Sequence, residues 1–424
     1  MKIKLFIEGK EIDICAKYKF QRKGENIVEI ILKQPLEDAS GMFYDCKRLV
    51  SIDSLKNWNL SNIKNTSFMF YGCSSITSID ALKNWNMSEV ISTCAMFSGC
   101  YSLTSIDALK NWDMLNVNDI SSMFNGCSSI ISIDALKSWN VINITDAKHM
   151  FNGCSSLTSI DALKNWKVTN LQNCSSMFAG CISLKNIDAL KKWNTSNNMN
   201  TSSMFNNCCL IENIDALSNW NMSNVYSTYS MFSGCINLKN INAVANWDMS
   251  NVENANHMFY DCTKLIDINP LQNWNLKSLT DLVNIFENCS SIESIDALEN
   301  WDMKKIESTK SMFSGCKLIK SIDAIKNWNM SNLKDSSYMF SCCSSISSID
   351  ALKNWDVKNL ENTSYMFYGC TSLKNIDSLK KWNQHKIYNY KMFHHCTSMN
   401  IEYVNKIFTI KKKLVGKKKY TAFN

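Results

Sequence analysis

The sequence predicts a β-rich solenoid of about 14 stacked 27-residue coils, each a short parallel strand followed by short helical turns. Three observations predict it. All 13 tryptophans fall on one progression, from Trp58 to Trp382 in steps of 27 residues. Cysteine, isoleucine, leucine and a Met-Phe pair keep the same step. Two prolines and 12 glycines in 424 residues leave no linker composition at which to divide the chain. A composition of 45% hydrophobic and 20% charged residues excludes a disordered polymer.

One unit reads Cys-Ser-Ser-Leu-Thr-Ser-Ile-Asp-Ala-Leu-Lys-Asn-Trp-Asn-Met-Ser-Asn-Val, then a variable stretch, then Ser-x-Met-Phe-x-Gly. A period in the twenties belongs to leucine-rich-repeat solenoids. The column from Ile52 to Ile376 never breaks, the leucine column from Leu55 yields only to Val244 and Ile325, and Ile285 is the one replacement for methionine. Such a unit cannot bury its apolar face alone, so the coils must stack. The Ser-Ile-Asp stretch, with a β-branched residue in every copy, is expected to pair from coil to coil as a parallel strand, and 14 coils about 4.8 Å apart would span roughly 65 Å. Before the repeats, residues 1–40 read as a strand cap with segments at Lys2–Ile7, Glu11–Phe20 and Asn26–Lys33. The array occupies 41–398. Residues 399–424 form a C-terminal cap and basic tail, with Ile401–Ile410 covering the last coil.

The acidic column Asp53, Asp80, Asp107 and onward is read as a set of helix N-caps, because Asn242 and Asn269 replace it and asparagine can cap but cannot serve as a general acid. Pro270, just inside a helix start, agrees. In nine of 13 coils a lysine follows three residues later, a spacing that brings ammonium to carboxylate. The Asn-, Ser- and Thr-rich stretch between Trp and Met-Phe suits turns whose side chains bond nearby backbone.

The formal charge is +7, and seven lysines from Lys406 to Lys419 supply all of it. The body is therefore neutral, which argues against a nucleic-acid grip along the array. The tail reads as a solvated end. Fourteen of the 19 cysteines are periodic, from Cys46 to Cys370 in steps of 27 and then Cys396 one residue early. One thiol per coil makes a line, whereas zinc needs four ligands at one point, so no metal site is expected. Reduced core thiols acting as small hydrophobes are the expectation. Glu8 interrupts the first apolar run too soon for a signal peptide, and no stretch reaches the roughly 18 uncharged residues of a membrane span. Together with reduced thiols, this gives a cytoplasmic expectation.

Only five histidines exist. His149 and His257 share a column four coils apart, too far to hold one metal. His394-His395-Cys396 is the single local cluster and reads as part of a frayed last unit. With no phosphate-binding glycine loop, His-Glu-x-x-His or nucleophile elbow, no catalytic residue and no cofactor is expected, and the chain is not an enzyme. A column of exposed indoles would form an unusually large apolar strip, so the tryptophans are expected to be buried. Recognition then falls to a column that varies. The residue before each Ser-Ile-Asp is such a position, and Lys185, Glu212, Lys239, Glu293, Lys320 and Lys374 are its charged members and the candidate partner-binding residues.

The pattern Met-Phe-x-Gly-Cys-x-x-Leu-x-x-Ile-Asp, followed by Trp-Asn-x-Ser-Asn-Val, resembles BspA-like leucine-rich-repeat proteins and the related repeats of bacterial surface lipoproteins, over about residues 41–398. The resemblance implies recognition rather than chemistry: protein binding, often adhesion at a cell surface. The expected function is a non-enzymatic protein-binding scaffold with an unidentified protein partner. Its alternatives are a cell-surface adhesin, for which sequons such as Asn329-Met330-Ser331 would carry sugar, or a self-associating structural protein.

Overall fold

Left-handed backbone recurs twice in every coil, and it decides how the coils join. A computed structural model describes residues 3–12, 28–32, 36–384, 387–400 and 404. In the coil after Trp58, Phe68 and Gly72 have φ of 59° and 71°; in the next, Ala95 and Gly99 have 52° and 76°. The first of these columns is rarely glycine, and the second mostly is. Between them the backbone N–H groups alternate in direction. Those of Thr66, Phe68, Phe70 and Gly72 donate to the carbonyls of Ser92, Cys94, Met96 and Ser98 in the next coil, at 3.0, 2.7, 2.9 and 2.7 Å. Those of Met69, Tyr71 and Cys73 turn back to Thr66, Phe68 and Phe70 within the coil, at 3.2, 3.1 and 3.1 Å. Every donor is thus satisfied without an extended strand.

This corrects two expectations. The coil-to-coil ladder runs mainly through the Asn65 column as single parallel bridges, Asp38 to Asn65 to Ser92 to Asp119 and onward, and among the described residues the Ser-Ile-Asp column has bridge residues only at Asn213 and Asn240. The repeats are also turn-rich rather than β-rich, because two left-handed residues four positions apart turn the chain around Met-Phe, and the isoleucine of Ser-Ile-Asp already leaves the extended conformation (Ile52, φ −123°, ψ 23°) to enter the 3-10 turn. Among the described residues, strands lie only near the amino terminus, where β1 (Ile3–Ile7) pairs antiparallel with β2 (Lys10–Ile12) and β3 (Val28–Leu32) in the order β2-β1-β3. These agree with two of the three expected segments and with the start of the second, whose remainder lies outside the described residues. So do 401–403 and 405–424 of the expected C-terminal cap and tail.

Each Asp-Ala-Leu-Lys-Asn stretch is a short 3-10 helical turn, 13 of them among the described residues, from Asp53–Asn57 to Asp377–Gln384. The helical reading of this stretch holds; its capping does not. Aspartate is the first helical residue, isoleucine occupies the cap position (Ile52, φ −123°, ψ 23°), and no side chain caps the turn. The local hydrogen bond comes one step earlier: Ser51 Oγ accepts the Asp53 N–H at 3.1 Å, as Ser78 Oγ does for Asp80 and Asn240 Oδ1 for Asn242. A hydroxyl or amide two residues upstream performs the task assigned to the carboxylate. The Asp–Lys pairing three residues apart is seen at Asp377–Lys380, Oδ1 to Nζ 2.6 Å, while Lys326 instead meets Glu299 of the preceding coil at 3.9 Å.

The chain divides into two units, Met1–Val225 and Tyr226–Asn424, at a point inside the repeats that composition does not mark. Both are built alike. In the first, the phenylalanines from Phe70 to Phe178 are fully buried and stack coil on coil, with Phe97 and Phe124 at 5.9 Å and 5°. In the second, Phe286, Phe313 and Phe340 do the same at 5.7 and 5.6 Å. Trp85 through Trp382 are buried, as expected, while Trp58 in the first coil is half-buried, and in most coils the indole N–H reaches back to the carbonyl of the leucine column: Trp112 Nε1 donates to Leu82 O at 3.1 Å, Trp301 Nε1 to Leu271 O at 2.9 Å. Burying a Trp, a Phe and two aliphatics per coil contributes several kcal/mol at about 25 cal/mol per Å². Stability is therefore a property of neighbouring coils.

Candidate partner-binding surface

The cysteine column faces inward. From Cys73 to Cys396 the periodic thiols are buried and unpaired with one another, each Sγ–H of the described pairs donating to a phenylalanine carbonyl of the preceding coil, as Cys127 to Phe97 O at 3.1 Å and Cys343 to Phe313 O at 3.1 Å. Burial pushes the Cys127 thiol up to about 12, so it stays protonated and unreactive at neutral pH. His394 and His395 meet edge to face at 4.1 Å and are exposed, whereas Cys396 points inward to Phe367 O at 3.0 Å, so the three do not converge on one point. His149 and His257 are half-buried, and burial holds both below the usual imidazole value. No group of three metal-ligating side chains occurs among the described residues.

The varying column before each Ser-Ile-Asp is exposed at every position from Val50 to Lys374. Its geometry follows from its place in the chain. It sits between a buried isoleucine or leucine and the residue whose side chain holds the 3-10 turn, as Lys320 sits between Ile319 and Ser321, whose Oγ accepts the Asp323 N–H at 3.0 Å. Both flanks are anchored, so the side chain can point only outward. Within the first unit Lys185 and Glu212 occupy successive coils. Within the second, Glu293 and Lys320 are successive, with Lys239 two coils before and Lys374 two coils after. The column also presents Val50, Ile131 and Ile266, which are 68%, 59% and 57% exposed.

A second varied surface escaped the sequence reading. The left-handed residue before each Met-Phe and the residue after it are small and buried in several coils, as Ala95 and Ser98 or Ser230 and Ser233, and reach solvent where they are larger. They are aromatic in four places: Tyr44, Phe68 and Tyr71; His149; His257 and Tyr260; and Tyr338, Tyr365, Tyr368 and His394. The signal was present as a departure from Ser and Asn beside a Met-Phe pair that changes only at Ile285.

Five overlapping segments, 37–155, 100–213, 131–241, 184–295 and 280–406, match the family described as "Mycoplasma protein of unknown function, DUF285". The chain belongs to the DUF285 family. The match spans the repeats, so the 27-residue unit is what defines this DUF285 chain. A solved leucine-rich-repeat protein of Leptospira interrogans is 10% identical over 86% of this chain and 80% of its own, with a TM-score of 0.23. No curated protein matches. No helix of the described residues is long and apolar enough to cross a membrane.

Proposed function

We propose that this DUF285 chain is a non-enzymatic scaffold that binds a protein partner through the exposed column before each Ser-Ile-Asp. One observation carries the reading: a column anchored on both sides by a buried residue and a turn-forming hydrogen bond is exposed in every coil, yet its side chains vary freely in charge and size. A frame that repeats while one outward position changes suits recognition, since the frame supplies rigidity and the variable position supplies specificity. Lys185 and Glu212 in the first unit, and Lys239, Glu293, Lys320 and Lys374 in the second, are its charged contacts. The likeness to BspA-like repeats supports the same reading, and the sheet of β1, β2 and β3 serves as a cover for the first coil. Thiols that donate to carbonyls suit a reducing compartment; alkylation of intact cells with an impermeant reagent that labelled Cys342 would place the chain outside instead.

The test is proximity labelling in the native cell, with the natural chain and with a Glu293→Lys, Lys320→Glu, Lys374→Glu variant. Loss of a specific labelled neighbour in the variant is the expected result. An unchanged set of neighbours removes the column as the binding surface, and length-dependent oligomers in a dilute sedimentation run would favour a self-associating structural protein.

A further inference from the structure

The last coils of the second unit gather exposed and half-buried rings around Lys391. Tyr338 and Tyr365 stack at 4.6 Å and 8°, Tyr390 meets Tyr365 edge to face at 5.5 Å, and Tyr368 stacks on His394 at 5.8 Å. Lys391 Nζ lies 6.0 Å from the Tyr365 ring centre and 5.3 Å from that of Tyr390. Tyr390 is 48% exposed, and Lys391 and His394 are exposed.

The chemistry that this cluster offers is of one sign. Tyr338 and Tyr365 each cover one face of the other, Tyr390 abuts Tyr365 at an angle and lies parallel to Tyr388 at 6.4 Å, and the group offers a partner ring edges, which carry the positive part of the quadrupole, and phenol hydroxyls, which donate. Lys391 adds a full positive charge. Among the described residues, the groups that act on the Tyr338 phenol are Tyr365 and Lys391, and those that act on His394 are His395 and Lys391. The nearby Glu361 acts on Lys334, with Glu307. The His257–Tyr260 site differs: there Asp261 and Glu287 bear on Tyr260. We infer that the Tyr338, Tyr365, Tyr390 and Lys391 cluster is a docking surface for an acidic segment of a protein partner, whose carboxylates meet the ammonium and phenol hydroxyls while its apolar body lies along the ring edges. A nucleic acid would need a row of cations to neutralise successive phosphates, and among the described residues the cluster supplies one lysine. The chain's own end from Lys406 to Lys419 is basic and so carries the wrong charge to occupy it. This surface is separate from the column before Ser-Ile-Asp, and the two stand or fall apart.

The test uses the full chain and fluorescence anisotropy with a labelled 12-residue peptide of alternating glutamate and leucine, its lysine-leucine counterpart, and a single-stranded oligothymidylate. The acidic peptide should bind saturably, the basic one should not, and the oligonucleotide should bind more weakly than the acidic peptide. Lys391→Glu should weaken the acidic peptide about tenfold. Lys391→Asn should weaken it less, and because asparagine tolerates the left-handed conformation at this position (φ 49°) it guards against misfolding. Tyr365→Ser should weaken binding and Tyr260→Ser should not. The proposal is overturned if the acidic peptide fails to bind, if both peptides bind alike, if the oligonucleotide binds tighter, or if affinity survives Lys391→Glu and disappears only when the lysines at 411–419 are neutralised. Sedimentation showing a concentration-dependent dimer that Lys391→Glu dissolves would assign the surface to a second copy and overturn it too.

Discussion

Replacing Trp355 and Trp382 separately by phenylalanine tests whether the indole column is a hydrogen-bonded spine or only a row of large apolar side chains. The two occupy adjacent coils of the same unit, both buried, with ring centres 6.3 Å apart. Trp355 Nε1 donates to Ile325 O at 3.0 Å. That carbonyl also accepts the Trp328 N–H at 3.2 Å, so it keeps one partner when the indole leaves, and the loss is limited to about 1 kcal/mol. The missing indole atoms cost about 1–2 kcal/mol more in lost contact and residual void. Trp355→Phe should therefore destabilise the unit by about 2–3 kcal/mol. Trp382 Nε1 is buried and has no hydrogen-bond partner among the described residues. Its replacement forfeits only the apolar part, and removing an orphaned donor offsets some of that, so Trp382→Phe should cost about 1 kcal/mol. Urea denaturation of the full chain, followed by far-ultraviolet circular dichroism and by the remaining tryptophan fluorescence, measures both. Equal losses at the two positions would refute the reasoning, since the hydrogen bond would then contribute nothing that distinguishes them.

The two left-handed columns predict opposite responses: Gly180→Ala should destabilise by about 1–2 kcal/mol, because φ is 71° and the new methyl would sit 3.4 Å from Gly153 Cα, whereas Ala95→Gly, at φ 52°, should be neutral or stabilise by up to about 1 kcal/mol in thermal melts. Burial raises Cys73, Cys127 and Cys181 from 9.0 to about 12, so the unfolded chain loses those protons first; the stability they contribute is complete below pH 9 and is lost as pH rises from 9 towards 12. The urea midpoint of the natural chain should fall in that window, and Cys127→Ala should flatten the fall by about 1.4 kcal/mol per pH unit. A maleimide should label exposed Cys342 rapidly in the native chain and leave Cys127 and Cys343 unlabelled until denaturant is added, which mass spectrometry of the digested protein reports directly.

Periodicity alone made the repeat, its apolar columns and the burial of its indoles and thiols legible, because an apolar residue that returns at one step in every copy can only be interior to a stack. The outward position before Ser-Ile-Asp was legible for the converse reason: free variation beside invariant neighbours marks solvent. What the columns could not reveal was the direction of each polar bond. Aspartate and serine two residues apart are both plausible turn-holders in a sequence, and only the backbone angles show that Ser51, not Asp53, accepts the N–H that starts the turn. The site of the coil-to-coil ladder was hidden likewise, since Phe68, Ala95, Ser122 and His149 share no composition that announces a left-handed residue. That conformation is imposed by the neighbours: the coils before and after present carbonyls at alternate residues, and the chain between them must turn its N–H groups outward and inward by turns to meet them. Side-chain chemistry, read along the chain, set which faces are buried; the stacking of one coil on another decided how the backbone bonds across them and which rings gather around Lys391.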